Sequence, residues 1–272
     1  MMRSLWTAAS GMIAQQNNVD TIANNLSNVN TIGYKTETAE FKSLLYQEIA
    51  SKTTSANGEN KPVGAQVGLG VRNSSITSHF TQGGFQATGS QFDFAIDGEG
   101  FFAVRTLDGE MAYTRNGNFF LAVAPNGGHM LTNSEGLAVM DRNGNPIYFE
   151  EGLSAEDITI DSDGEVCLPD EKNNPIKTGI KIALYQFSNP SGLTKSSNSL
   201  YLESEASGIA MNEAEYENLS KSSVKQGYLE MSNVQVADEM VNLIVAQRAY
   251  ELNSKAITTS DEMMQTANNL KK

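Results

Sequence analysis

"LEMSNVQVADEMVNLIVAQRAYELNSKAITTSDEMM", residues 229–264, is the stretch on which the reading of the fold turns. Leu229, Val236, Leu243, Tyr250, Ile257 and Met264 recur at strict seven-residue intervals, and Met240, Ile244 and Ala246 widen the stripe. An unbroken repeat of seven keeps one apolar seam turned toward a partner helix along a supercoil. The repeat predicts a C-terminal helix over 228–272, with residues 229–270 spanning roughly 60 Å at 1.5 Å per residue. Glu251 and Lys255, spaced i, i+4, suit an outer face. An ordinary amphipathic core helix would carry a similar stripe but usually ends well short of this length.

The head repeats the device. Leu5, Met12, Val19 and Leu26 are also seven apart, and Ala8, Ile22 and Val29 fall near the second seam position. A helix over 1–33 is expected to pair with the tail in one coiled-coil-like layer, bringing the two ends together. Between Ser4 and Asn30 the only ionisable side chain is Asp20, whereas "ANNLSNVNTIGYK" (residues 23–35) is crowded with amides. Asparagine is a weak helix former because its amide competes with the backbone. A charge-poor helix rich in amides suits contact on several sides, since amides donate and accept without a counter-charge. Asn17, Asn18, Asn24 and Asn25 are therefore expected to touch identical neighbouring helices. The plainer alternative is that they mark a helix end, as Asn28 through Gly33 are expected to do.

The middle changes period. All six prolines lie between Pro62 and Pro190, no glycine follows Gly227, and only Gly11 precedes Gly33. "FDFAID", "GFFAVR", "MAYTR" and "IKIALYQF" alternate or run apolar like strands, with Gly turns near Asp97, Asn116, Glu135 and Asp163. Phe92, Phe94, Phe101, Phe102, Tyr113, Phe119 and Phe120 can fill an independent core. The expected fold class is α+β: terminal helices, an extended arm over 34–75, and an antiparallel all-β domain inserted over 76–227.

Composition removes several function classes. The 272 residues carry a net charge of −13 and no Lys/Arg block, which argues against nucleic acid and against an anionic membrane surface. No apolar run reaches the length of a membrane span, so no insertion is expected. The N-terminus lacks the apolar core of a cleavable secretory signal. Cys167, the single cysteine, rules out an internal disulfide framework and reads as a small buried group in a strand. His79 and His129 are too few for a catalytic triad or a His-based metal site. "GLGVRN" lacks the third glycine of a dinucleotide loop, and "DSDGE" at 161–165 lacks the spacing of a calcium loop and reads as a hairpin turn. No cofactor, no metal and no catalytic group are expected.

Four separated motifs carry a family resemblance. "ANNLSNVNTIGYK" with "FKSLLYQ", "FAIDGEGFFAV", "YTRNGNF" and "SNVQVADEMVNLIVAQRAYELNSKAITTSDEM" together resemble, in order and over nearly the whole chain, the bacterial flagellar axial family of rod and hook subunits. The arm, "LLYQE" followed by "PVGAQVGLGVR", is most similar to the distal-rod branch. Ser27, Ile32 and Tyr34 depart mildly from the family pattern. The resemblance implies a structural subunit that self-assembles into a helical tube, with proximal rod and hook subunits at its ends, basal-body ring proteins around it, and export by the flagellar type III apparatus without signal cleavage. It also implies that arm residues 47–72 wedge between neighbours and stiffen the tube. Before assembly, the unpartnered termini are expected to be largely disordered. Two alternatives remain: another axial subunit (proximal rod or hook), or a secreted glycan-binding or glycan-cleaving β protein using Asp97, Glu99 and Asp108. The second leaves the heptads unexplained.

Overall fold

A computed structural model of the chain describes residues 2–50, 65–124, 127–149, 158–169, 175–216 and 218–270. It is an α+β protein that divides into two compact units. One is made of Met1–Ser27, Glu37–Ser78 and Gln235–Lys272; the other of Asn28–Thr36 and His79–Val234. The chain thus passes between the units four times.

The helical unit holds α1 (Met2–Ser27) and α2 (Val236–Asn269) together with strands β1 (Glu37–Ser43), β2 (Tyr46–Ala50), β3 (Ala65–Gly68) and β4 (Val71–Ser78). Both helices are free of proline, and Asp238 and Glu239 in the first turn of α2 complement its dipole. Most of the described part of the segment expected as an extended arm is antiparallel ladder. β1 pairs with β4 and β2 with β3, while residues 51–64 lie outside the described residues. The turn into β4 rests on α1. Gly70 has φ +112°, and a Cβ there would meet the Ser10 hydroxyl. That hydroxyl also accepts the Val71 N–H at 3.3 Å.

Two boundaries differ from expectation. α1 stops at Ser27, because Asn28–Asn30 turn and Gly33 takes φ +68°, so Val29 lies in a turn and not on the helix. α2 begins at Val236, so the first heptad position, Leu229, belongs instead to a strand, Tyr228–Glu230, paired with Phe85–Ala87. It is buried there and takes no part in helix packing.

The β unit is antiparallel in every described pairing. Its largest sheet runs through Tyr148–Phe149, His129–Asn133, Ala138–Val139, Phe101–Arg105, Met111–Thr114, Leu200–Leu202 and Thr194–Lys195. Phe101–Arg105 is central and covered on both faces. Phe102 and Val104 point into one core cluster with Ile96, Phe119 and Leu131, while Phe101 and Ala103 point into another with Tyr113, Phe187 and Tyr201. Two-sided burial explains why "FFAV" reads as an apolar run instead of alternating. Edge-to-face rings bind the second cluster, Tyr113 to Phe187 at 4.9 Å and Phe80 to Phe101 at 5.4 Å. "IKIALYQF" is divided between Pro175–Lys181 and Leu184–Gln186, which belong to different sheets. Residues 161–165 form the hairpin turn that "DSDGE" suggests: Gly164 has φ +76° and Lys177 bridges Asp161 and Glu165.

Candidate assembly surface

α1 and α2 run antiparallel within the helical unit. The Ser4 and Ser260 hydroxyls lie 3.2 Å apart. A Cβ on Gly11 would stand 2.9 Å from Nδ2 of Asn253. Ala8, Ala14 and Ala246 are buried beside them. Ser4 and Gly11 on α1, and Ala246, Asn253 and Ser260 on α2, are themselves seven apart, so Ser, Gly, Ala and Asn stand at points of close approach inside one chain.

The large heptad residues are covered to different degrees. Ile22 is buried, while Leu5, Met12, Val19 and Leu26 on α1 are half-buried, as are Leu243, Ile257 and Met264 on α2. Val236, Met240 and Tyr250 are exposed. Further out, Trp6 is 74% exposed, Leu252 67% and Ile13 62%, accompanied by Val241, Ile244 and Val245. Val19, Gln16, Gln247, Tyr250 and Glu251 line an open cleft of about 430 Å³ between the helices. Apolar side chains are thus turned outward from both helices on a scale that isolated soluble monomers rarely show.

The amides separate into two groups. Asn25 serves its own chain: its Nδ2 donates to the Glu37 carbonyl at 2.8 Å and its Oδ1 accepts the Glu37 N–H at 2.9 Å. That buried pair of hydrogen bonds ties the end of α1 to the start of β1, so Asn25 serves a contact within its own chain that the sequence reading did not foresee. Asn17 and Asn24, with Asp20 and Thr21, instead line a polar hollow of about 430 Å³ against Asn73 and Ile76. In that hollow Asn73 Oδ1 is buried without a partner among the described residues. Asn18 is half-buried and donates to Gln15 at 3.5 Å.

A second group of residues, outside the heptad and amide set, fastens the β unit. Glu230 is fully buried and accepts from Lys35 Nζ at 2.6 Å, from the Gly83 N–H at 2.9 Å and from Arg115 Nη1 at 3.3 Å. Its own carbonyl accepts the Gly33 N–H at 2.8 Å. Lys35 also donates to the Thr81 carbonyl at 2.8 Å, and Arg115 stacks on Phe101 at 4.9 Å. Burial pulls the Lys35 ammonium and the Arg115 guanidinium below their ordinary ranges, and Glu230 opposes that pull on both. Asn233 completes the lock, accepting the Thr36 N–H and hydroxyl at 2.7 Å each and donating to the His79 carbonyl. The end of the head motif, the "YTRNGNF" motif and the entry to the tail thus meet in one network. Lys35 and Arg115 are the only charged side chains of their motifs, but nothing in the sequence links them to Glu230. Asp97, weighed above as a glycan carboxylate, is paired with Lys225 at 2.6 Å.

Comparison with known proteins settles the family. Residues 5–35 match the family described as "Flagella basal body rod protein", 95–168 match "Flagellar hook protein FlgE/F/G D1 domain", and 225–270 match "Flagellar basal body rod FlgEFG protein C-terminal". The chain is 45% identical to "Flagellar basal-body rod protein FlgG" of Borreliella burgdorferi over the whole of both chains. The chain belongs to the flagellar basal-body rod protein family. FlgG of Bacillus subtilis is 39% identical over all of both chains. "Flagellar hook-basal body complex protein FlhP" of the same organism is 32% identical over the same span, which sets this rod-family chain nearer FlgG. The head motif, the opening of the β domain and the tail each fall within a matched segment. No helix among the described residues is long and apolar enough to cross a membrane.

Proposed function

We propose that the chain is a non-catalytic building block of the distal rod of the bacterial flagellum, polymerising helically into the tube that carries torque from motor to hook. The observation that carries this reading is the outward apolar face of the helical unit, on a chain whose family is that of the basal-body rod. Within each copy, small residues let α1 and α2 approach as a coiled-coil-like layer. Leu5, Met12, Val19, Val236, Met240, Leu243, Tyr250, Ile257, Met264 and the more exposed Trp6 and Leu252 are then left for neighbours. Asn17, Asn18 and Asn24 supply polar contacts that do not require a counter-charge.

Magnitudes favour several neighbours over one. Covering Trp6, Ile13, Val241, Ile244, Val245 and Leu252 contributes about 1.5–3 kcal/mol each, roughly 10–20 in total. Association alone costs about 4–15 kcal/mol, and ordering the backbone costs about 1–2 per residue. A single contact does not cover these costs, so growth favours a prepared filament end where several copies present their faces. Leu45, Tyr46 and Ile49 extend the exposed surface onto β2 and its approach, and the stiffening segment 47–72, described at 47–50 and 65–72, begins there. The axial neighbours are proximal rod and hook subunits, ring proteins surround the tube, and the chain reaches its site through the flagellar type III apparatus. Cryo-electron microscopy of the assembled tube tests the reading. Trp6, Ile13 and Leu252 are expected at boundaries between copies, and finding them in open solvent would overturn it.

A further inference from the structure

A small cavity in the β unit gathers cations that make no ion pair among the described residues. It holds about 130 Å³, with Arg142, Lys181 and Lys221 around it, Ile182 and Leu184 as an apolar wall, and Glu213 at one side. Arg142 is held at its backbone and, by one hydrogen bond, at its guanidinium. Its N–H donates to the Lys181 carbonyl at 2.9 Å, its carbonyl accepts from Asn212 Nδ2 at 3.1 Å, and its Nη2 donates to the Ala214 carbonyl at 3.3 Å. The Glu213 carboxylate is committed elsewhere: it accepts the Ser222 N–H at 2.8 Å, the Ser222 hydroxyl at 2.7 Å and the Gln186 amide at 2.9 Å. None of the three cations makes an ion pair among the described residues, whereas Lys35, Arg115, Lys177, Lys225 and Arg248 all do. In a chain where 32 acidic residues outnumber 19 basic ones, three cations around one cavity form a local reversal of charge. With Glu213 counted, the lining carries a surplus of two positive charges.

We propose that this cavity is a receptor for a single carboxylate on a short aliphatic stem. The oxygens sit among Arg142, Lys181 and Lys221, where charge-assisted hydrogen bonds reward them, and the stem lies on Ile182 and Leu184. The guanidinium is already held in place, so little ordering is required when the carboxylate arrives. The carboxylate comes either from a free small dicarboxylate or from an Asp or Glu side chain of a second copy of this acidic chain. The inference stands independently of the rod reading.

NMR titration of the full-length chain with succinate tests it, with sodium chloride at matched ionic strength as the control. Saturable shifts at the amides of residues 142, 181 and 221 are expected. The Lys181→Gln/Lys221→Gln pair should weaken binding about tenfold or more, while Lys255→Gln on α2 should leave it unchanged. The second source has its own signature: without succinate, the same amides shift as protein concentration rises, and succinate reverses that shift. Succinate saturation without concentration dependence assigns the free ligand; concentration dependence assigns the second copy. Chloride reproducing the succinate shifts, no shift in either series, or wild-type affinity in a folded double variant would each overturn the proposal. If the double variant does not fold, the wild-type comparison of succinate with chloride decides alone.

Discussion

The β unit and the helical unit place their apolar side chains in opposite ways. Phe101 and Phe102 each enter a different core cluster of the β unit and both are fully buried. The helical unit keeps alanine, glycine and serine at its own seam and turns Trp6, Ile13, Val241 and Leu252 outward. One unit draws its stability from its own interior. The other, on the function proposed above, draws it from other molecules. The contrast teaches that one chain can carry a finished domain beside an unfinished one, and that the unfinished one identifies the function.

The sharpest way to break the contrast is to attack the interior network. Glu230→Gln leaves Lys35 and Arg115 buried without their counter-charge, and a loss of about 3–5 kcal/mol is expected by urea unfolding. Phe101→Ala should cost a similar amount, about 3–5 kcal/mol, through the cavity it opens between two packed faces. Lys35→Met should cost clearly less than Glu230→Gln, since it leaves one Arg115–Glu230 pair and no surplus charge. The reverse order would show that the network is held by geometry and not by charge. Lys35 also sharpens the pH dependence. Its folded pKa lies below the ordinary 10.5 because burial disfavours the ammonium, so between those two values the unfolded chain binds more protons. Stability attributable to Lys35 is thus greatest above 10.5 and is lost as pH falls through the folded pKa. The difference between wild type and Lys35→Met, followed by unfolding from pH 8 to 11, should move in the wild type's favour as pH rises.

Smaller effects belong to the helical unit. Asn25→Ala removes both hydrogen bonds to Glu37 and should cost about 1–2 kcal/mol in the isolated chain. Trp6→Ala should change that stability by no more than about 0.5 kcal/mol, yet reduce tube formation as measured by light scattering. A Trp6→Ala chain that assembles normally would remove Trp6 from the interface.

The sequence made some of this legible and concealed the rest for physical reasons. Periods of seven at the ends, and alternating or apolar runs bounded by Gly turns in the middle, located both helices and the strands Phe94–Asp97, Phe101–Arg105 and Met111–Thr114. Leu229 misled because it falls in phase with Val236 and no glycine or proline lies between them, while the strand it occupies is only three residues long. The repeat of Ser4 and Gly11 with Ala246, Asn253 and Ser260 was hidden under a louder repeat of large residues, although close helix approach requires small ones. Asn25 was indistinguishable from Asn24 until β1 was seen to start beside it. Lys35, Arg115 and Glu230 are distant in the chain, and no local pattern could announce that they meet.

Amide hydrogen exchange, compared between the dissolved chain and the assembled tube, tests the central claim most directly. The account predicts that α1 and α2 exchange far faster than the Phe101–Arg105 and Met111–Thr114 strands in the dissolved chain, and that assembly slows the helices at least a hundredfold, about 2.7 kcal/mol or more, with little change in those strands. Helices as well protected in solution as the central sheet, and no slower after assembly, would contradict it.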